Sequence, residues 1–507
     1  MVLAFRPSAR GYELRVGRLR FAQSTYLLVC AIVVGLGGGW GAVVFRALIG
    51  YETTLAGLLT AAIRPVTGPL ALTISVGAGG ALAAWIAARF APEARGHGVP
   101  EVMAAVALRG GIMRPRTIVI KALASATTIG FGGAAGREGP IVQIGSAIGS
   151  VLGQLFHAPA PIIRTLVACG AAAGISATFN APIGGVFFAS EVILGDFAPR
   201  SFATIVVASV VAAVVGRAVL GNRPSFDASA FALVSPRELA LYALLGVICA
   251  VWAWGFVRLL YALEDAADRV RLPATVKGFA GFAVVGALGT FVPQILGVGY
   301  VAMQHVLDGH VAFGRALSLA ALKPLATSMT LAAGGSGGVF APSLFTGAML
   351  GDAFGRVVHE AFPAWTATPA AYGLVAMAAI FGAAAEAPIT AIVIVFEMSG
   401  DYTIILPLMI ATVIATILGR RLLGSTVYEM KLERRGIDWQ RVRRPPALTD
   451  STIVARGDES LREVVARLPD DANAIAVVDG DRISRVVAAA QVQAAAARAP
   501  GTPLRDI

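Results

Sequence analysis

The chain opens on a polar, basic stretch, residues 1–22, and then turns strongly apolar. Apolar runs near 26–50 and 68–90 are each long enough for the roughly twenty residues that cross a bilayer as a helix. From 100 to 200 the runs shorten, and Gly and Pro interrupt them in GHGVPEV, GFGGAAGREGP and ATFNAPIGG. Long runs resume near 202–221, 238–265 and 276–296, and the broken pattern returns at 325–345 and 378–423. Broken helices are tolerated at membrane depth only where protein buries them or where they line a cavity. The pattern changes again after 424: a charged stretch ends in Arg443-Arg444-Pro445-Pro446 and reads as a linker. Beyond it, Ser460 and Glu463 fit a capping box, and Leu461, Val464, Val465 and Leu468 fall on one helical face. AIAVVD (474–479) and RISRVVA (482–488) read as two strands joined at a Gly-Asp turn. So small a tail is expected to lean on a partner or on the membrane part.

The broken pattern repeats. GGAAGREGP (132–140) and GGSGGVFAP (334–342) share Gly-Gly-x-x-Gly-x-x-x-Pro at an offset of 202 residues. Ala-Pro-Ile, seven residues and then Glu recurs at 181–191 and 387–397, an offset of 206. Paired interrupted segments in two halves point to a binding site near the midplane of a transporter fold. The offsets fit parallel and inverted halves equally. The expected division is a basic leader 1–22, a first membrane repeat 23–200, a membrane connection 201–237, a second repeat 238–424, a basic linker 425–448 and a cytoplasmic tail 449–507.

Composition narrows the class. Of 507 residues 57% are hydrophobic and 14% charged, where a soluble domain carries roughly a quarter charged residues. The net charge of +11 could suggest nucleic acid, but the arginines cluster at the two ends. Arg6, Arg10, Arg15, Arg18 and Arg20 precede the first span, and Arg420, Arg421, Arg434, Arg435, Arg441, Arg443 and Arg444 follow the last. That is the positive-inside signal: both ends are expected in the cytoplasm, with an even number of crossings and no nucleic-acid partner. Cys30, Cys169 and Cys249 lie in apolar surroundings without CxxC spacing, so buried thiols are expected, with no disulfide and no metal. No cleavable signal peptide is evident, and the first apolar run reads as the first span.

The candidate chemistry lies in Gly136-Arg137-Glu138-Gly139-Pro140. A charge among membrane-depth segments costs several kcal/mol by most scales and normally lines a protein-enclosed polar path. The run after Pro140 reads as a helix start, whose backbone N–H groups make an anion site. The reading is an anion-binding loop carrying its own movable carboxylate, against the alternative of a structural ion pair in a tight turn. Two other classes were weighed. Ser336 in GGSGG resembles the nucleophile of an intramembrane serine hydrolase, but the repeat already explains it as a loop residue. An organic-anion transporter would aim arginines or lysines into its site. The mid-membrane candidates are Arg137, Arg164 and Lys323, and Arg137 is expected to hold the loop through a carboxylate or carbonyl.

Four separated motifs resemble the CLC family of chloride channels and chloride/proton antiporters: GHGVPEV (96–102), GREGP (136–140), GGVFAP (337–342) and Tyr428 in STVYEMKL. KPLATSMTLAAGGSGG (323–338) and FNAPIGGVFFASE (179–191) are also similar, so the resemblance covers roughly 25–432. It implies an all-α polytopic membrane protein, an inverted repeat of broken, tilted helices with a small α/β cytoplasmic tail. It further implies a homodimer in the bacterial inner (plasma) membrane with one chloride pore per subunit and no cofactor. Carried over, the central anion is held by His97, the Tyr428 hydroxyl and the backbone of Val339 and Phe340. The outer site uses backbone N–H groups around Arg137, Glu138 and Gly139. Glu138 matches the gating glutamate, which competes with chloride and takes a proton. Gly96, Gly98, Pro100, Gly136, Pro140, Gly338 and Pro342 shape the loops.

Two departures matter. The first loop usually carries serine where this chain has His97. A neutral imidazole donates one hydrogen bond, and an imidazolium adds a charge that titrates near neutral pH. The alternatives are pH-dependent anion binding and a neutral histidine bonded to nearby backbone in the serine's place. Chloride is the expected ion, with other small anions as alternatives. Many antiporters of the family also carry a second glutamate where this chain has Val192 after Glu191. A valine relays no protons, so the expectation leans to uncoupled, channel-like conduction, with chloride/proton exchange by an atypical inner route as the alternative. Glu191 and its repeat-mate Glu397 are read as structural, in helix-packing ion pairs. The tail resembles part of a CBS module: about one repeat, with PLRDI as the opening of a second that never arrives. A dimer contact or a vestige is therefore expected there rather than a working adenine-nucleotide site.

Overall fold

The computed structural model describes residues 3–8, 11–16, 19–222, 225–226, 233–437, 439, 452–469, 472, 474–479 and 482–506. The linker motif Arg443-Arg444-Pro445-Pro446 lies outside the described residues. The first eight helices are α1 (Gln23–Thr67), α2 (Ala71–Phe90), α3 (Val99–Leu108), α4 (Arg116–Gly130), α5 (Glu138–Leu155), α6 (Ala160–Phe179), α7 (Pro182–Phe188) and α8 (Pro199–Leu220). The helix α7 continues as a π-helical turn, Ala189–Leu194. The next eight are α9 (Glu238–Arg269), α10 (Ala274–Phe291), α11 (Tyr300–Leu307), α12 (Phe313–Ala332), α13 (Phe340–Ala361), α14 (Pro369–Ala385), α15 (Pro388–Ser399) and α16 (Ile405–Leu423). A short α17 (Val427–Glu433) follows.

The two sets of eight match one for one in order, and α8 stands opposite α16. We therefore place the boundary between the halves in the α8–α9 connection rather than at residue 201. Proline at the first turn starts α7, α14 and α15, where its missing N–H would have had no helical partner. Six of the helical segments are long and apolar enough to cross a membrane.

The halves are inverted, which the repeat offsets alone leave open. The Glu397 carboxylate, near the end of α15, accepts from the first N–H groups of α7, Ile183 at 3.0 Å and Gly184 at 2.6 Å. The Glu191 carboxylate, after α7, accepts from the start of α15: Ile389 N at 3.3 Å, Thr390 N at 2.8 Å and the Thr390 hydroxyl at 2.6 Å. Each helix start lies beside the other's end, so α7 and α15 run antiparallel across a pseudo-two-fold axis. This corrects the expected ion pairs. The carboxylates' partners are orphan N–H groups of a helix start, which carry a partial positive charge.

Small residues let the central helices touch backbone to backbone. A Cβ on Gly145 of α5 would come within 2.2 Å of the Gly170 carbonyl of α6, and one on Gly347 of α13 within 2.3 Å of the Ala376 carbonyl of α14. Close approach of this kind replaces the hydrophobic drive that lipid removes. The result is a buried centre of α5, α6, α13 and α14, with apolar side chains of α1, α8, α9 and α16 facing outward.

Outside the helical body lie two small sheets. The basic leader forms an antiparallel meander of β1 (Leu3–Ser8), β2 (Gly11–Val16) and β3 (Leu19–Ala22). In the tail, β4 (Thr452–Arg456) pairs parallel with β5 (Ala474–Asp479), which pairs antiparallel with β6 (Arg482–Ala488). The Ser460–Glu463 capping box starts the connecting helix, as expected. PLRDI packs back on the first unit of the tail. Leu504 is buried in the tail core, and the Leu504 and Arg505 N–H groups donate to Glu459 O and Gly457 O at 2.8 Å, closing the first unit.

Candidate functional site

The two glycine loops before α5 and α13 pair across the pseudo-two-fold axis. Gly136 N donates to Gly338 O at 2.8 Å, and Gly338 N donates back to Gly136 O at 2.7 Å. This antiparallel bridge fixes the starts of α5, at Glu138, and of α13, at Phe340, beside each other. The first loop joins them: Gly96 N donates to Gly335 O, and Gly337 N to Gly96 O. Gly96 and Gly98 have φ of 78° and 85°, a region that a side chain would strain. A Cβ on Gly139 would lie 2.0 Å from the His97 carbonyl. The three motifs, spread from residue 96 to residue 342, thus meet around Gly139.

Buried lysines hold the loops from behind. Lys121 Nζ donates to Ala94 O and Gly96 O, both at 2.8 Å. Lys323 Nζ donates to Ile295 O at 2.8 Å and Gly297 O at 2.7 Å. Lys323 is therefore spent on backbone and offers no cation to a solute. Arg164 lines a cavity of about 450 Å³ between the tail and the membrane part.

Glu138 is buried, and its carboxylate reaches across to the second half. Oε1 accepts from the Tyr300 hydroxyl at 3.0 Å, and Oε2 accepts from Ala341 N, in the first turn of α13, at 3.3 Å. An acceptor-only carboxylate there occupies donors that an inorganic anion could otherwise use. Arg137 donates to Thr178 O at 3.5 Å and lies over the Tyr300 ring, 4.8 Å from its centroid. It holds the loop through a carbonyl and a ring. Beside this end is a pocket of about 280 Å³, lined by Arg46, Arg137, Arg217 and Tyr300 among others and, among the described residues, by no carboxylate.

The other end is built differently. His97 is 2% exposed, and neither ring nitrogen makes a hydrogen bond. Nε2 lies 4.0 Å from Glu264 Oε1 on α9, while Glu264 Oε2 accepts from Lys431 Nζ at 2.5 Å. Tyr428 is buried near the start of α17, a helix fixed by the Thr426–Glu429 capping box and by the Tyr261 hydroxyl on Val427 O. Val339 and Phe340 are buried, with the Phe340 ring packed on Phe179 and Phe381. A pocket of about 420 Å³ opens on this side, lined by Gly96, Arg95, Lys431, Arg434, Arg435 and the acids Glu264, Asp265 and Asp268.

Val192 is 8% exposed within the apolar cluster and does not line that pocket. The Ser336 hydroxyl donates to Ala94 O at 2.6 Å and shares a 2.8 Å hydrogen bond with Ser125, with no histidine among these partners. Neither partner is a general base.

Sequence reasoning missed three residues. Lys121 was within reach, since it stands 202 positions before Lys323. Tyr300 carries no motif, and Glu264, in LEDAADR, reads as an ordinary surface charge.

Comparison with known proteins places these features. Residues 79–420 match the family model described as voltage gated chloride channel. An H(+)/Cl(-) exchange transporter of Cronobacter sakazakii is 33% identical over 353 residues, covering 68% of this chain and 76% of that protein. A ClcB-like protein of Ralstonia nicotianae is 32% identical over 354 residues, covering 69% of this chain and 82% of its own. A solved slow cyanobacterial Cl-/H+ antiporter superposes with a TM-score of 0.75 at 28% identity, over 82% of this chain and 98% of that one. A CLC-type fluoride/proton antiporter, at 21% identity and a TM-score of 0.65 over 80% of this chain and 97% of that one, shares the fold.

Proposed function

This chain is a membrane protein of the voltage-gated chloride channel family, and from that premise we propose that it carries chloride along one path in each subunit of a homodimer, gated by Glu138. The supporting observation is the Glu138 carboxylate lying on Ala341 N at the start of α13. Protonation removes the charge that holds it there, the side chain turns away, and chloride takes over the N–H donors. Between its two ends the path runs past Gly139, Val339, Phe340, Tyr428 and His97. The arginine-lined pocket draws anions to the Glu138 end, since a cleft of one sign raises the local concentration of its counter-ion. The tail lies on the cytoplasmic side of a bacterial inner membrane, and its αβ unit serves as a contact rather than a nucleotide sensor. No cofactor takes part.

Val192, buried among apolar groups, supports uncoupled, channel-like conduction. Chloride/proton exchange is the second reading, favoured by the exchange activity in the names of relatives about one-third identical. The decisive measurement is the reversal potential of purified protein in liposomes under a fixed chloride gradient and a varied proton gradient. Channel-like conduction gives a potential that follows chloride alone; exchange gives one that moves with the proton gradient. Glu138→Gln removes the pH gating contributed by this carboxylate and any coupling. Coupling retained in that variant would remove Glu138 from the mechanism.

A further inference from the structure

We infer that His97 and Glu264 form a proton-loading pair on the tail side of the path, so that chloride reaching the inner loop binds together with a proton that Glu264 passes to the His97 ring. The inference rests on chloride being the transported ion and on neither transport mode.

Buried polar atoms almost always have a partner, yet both His97 ring nitrogens lack one at 2% exposure. His97 belongs to the loop that packs on the Glu138 segment, because its carbonyl lies against Gly139, and its ring carries a free donor and a free acceptor.

The charges around it set the terms. On α9, Glu264 Oε1 faces Nε2 at 4.0 Å, and the Tyr261 ring lies 6.3 Å away. Lys431 on α17, Lys121 on α4 and Arg435 after α17 are within Coulombic reach of the ring. Two of these cations are already matched, Lys431 by Glu264 and Arg435 by Glu101 of α3. Arg434, over the Tyr261 ring, pairs with Asp265. Lys121 rests on carbonyls alone, so the neighbourhood already holds one uncompensated positive charge. A proton on the empty ring adds a second. A chloride at the loop supplies the missing negative charge, which is why proton and anion enter together.

Glu264 is placed to deliver that proton. It lines the tail-facing pocket, where water reaches it, while its Oε2 stays on Lys431. Hydronium in the pocket protonates Oε1. The acid O–H then breaks as Nε2–H forms, over 4.0 Å through one water or a side-chain rotation, and Glu264 returns to the carboxylate. The ring begins as the neutral Nδ1–H tautomer and ends as an imidazolium with two donors, one of them for chloride. This is a function that Val192 cannot supply.

The test is calorimetric chloride binding to the full-length protein in the Glu138→Gln background, which removes the carboxylate that competes for the anion. Between about pH 8 and 5.5, affinity is expected to rise toward tenfold per unit, the limit for one linked proton, with matching proton uptake in buffers of different ionisation enthalpy. His97→Ser, and His97→Gln as a second variant, flatten the rise to under about twofold. Glu264→Gln shifts it to lower pH. Binding that is independent of pH, or a rise that survives both His97 variants, overturns the pair. No chloride binding at any pH by monodisperse Glu138→Gln protein overturns the chloride assignment itself, a different failure from the first two.

Discussion

The two ends of the path are made from the same kind of loop and finished in opposite ways. At the Glu138 end both carboxylate oxygens have donors, the Tyr300 hydroxyl and Ala341 N. At the His97 end both ring nitrogens are buried and unbonded. Among the described residues the pockets differ in the same sense: arginines without a carboxylate line the one beside Glu138, and a mixed-sign wall lines the one beside His97. A buried polar group with its bonds made is in a resting position, and to move it those bonds must be broken or replaced. One left unbonded is held ready for something the protein does not itself contain. On the proposed function, the Glu138 end is a closed gate with its own surrogate anion, and the His97 end is a receptor.

The strongest way to break this contrast is to remove a donor at the satisfied end. Tyr300→Phe leaves the ring against Arg137 and deletes the hydroxyl on Glu138. A hydrogen bond to a charged group is worth about 1.5–3 kcal/mol, so the closed position should lose roughly tenfold or more in population. Liposome chloride flux at a pH where the wild type is mostly closed should rise by about that factor. Flux equal to wild type would mean that Tyr300 does not hold the gate.

A smaller effect tests whether the contrast is confined to the path. Glu191 and Glu397 cap each other's helices in mirrored fashion. Glu191→Ala and Glu397→Ala should each cost about 1–2 kcal/mol, the upper range of a lost cap. Thermal unfolding in detergent should show two similar decreases. A large loss of selectivity in one variant alone would mean that the pseudo-symmetry breaks outside the path as well.

Much of this was legible in the chain. The 202-residue offset between GGAAGREGP and GGSGGVFAP locates both loops that pair at Gly136 and Gly338, because each must bring a helix start to the same place. The interrupted segments fall where α3, α5, α7, α13 and α15 begin. Direction was legible only through the family resemblance: an offset is the same for parallel and inverted halves, and in the structure the crossed caps of Glu191 and Glu397 decide it. Partners were not legible. Glu138 was found through its motif, but Tyr300 bonds it from 162 residues away with no motif of its own. Glu264 looks like a solvated acid at the end of a long helix until α9 is seen to pass beside His97. The leader was read from its arginines as a polar segment, which conceals the strand pairing of β1 to β3. The return of PLRDI to Glu459 and Gly457 is a tertiary contact, which the motif does not show.

The smallest expected effect is also the sharpest. Val192→Glu restores a carboxylate at the position where many antiporters of the family carry one. Val192 sits in the π-helical turn after α7, 8% exposed, and does not line the tail-facing pocket. A carboxyl placed there pays the desolvation of a buried charge or stays protonated, and it does not line the pocket. Proton loading through Glu264 and His97 bypasses this position, so the response of the reversal potential to a proton gradient should stay within about twofold of wild type. A strong gain of coupling in Val192→Glu would show that the inner route runs past residue 192 and is cut there. The unbonded His97 ring would then be an anion ligand only, and the two ends of the path would differ in what they bind but not in how protons reach them.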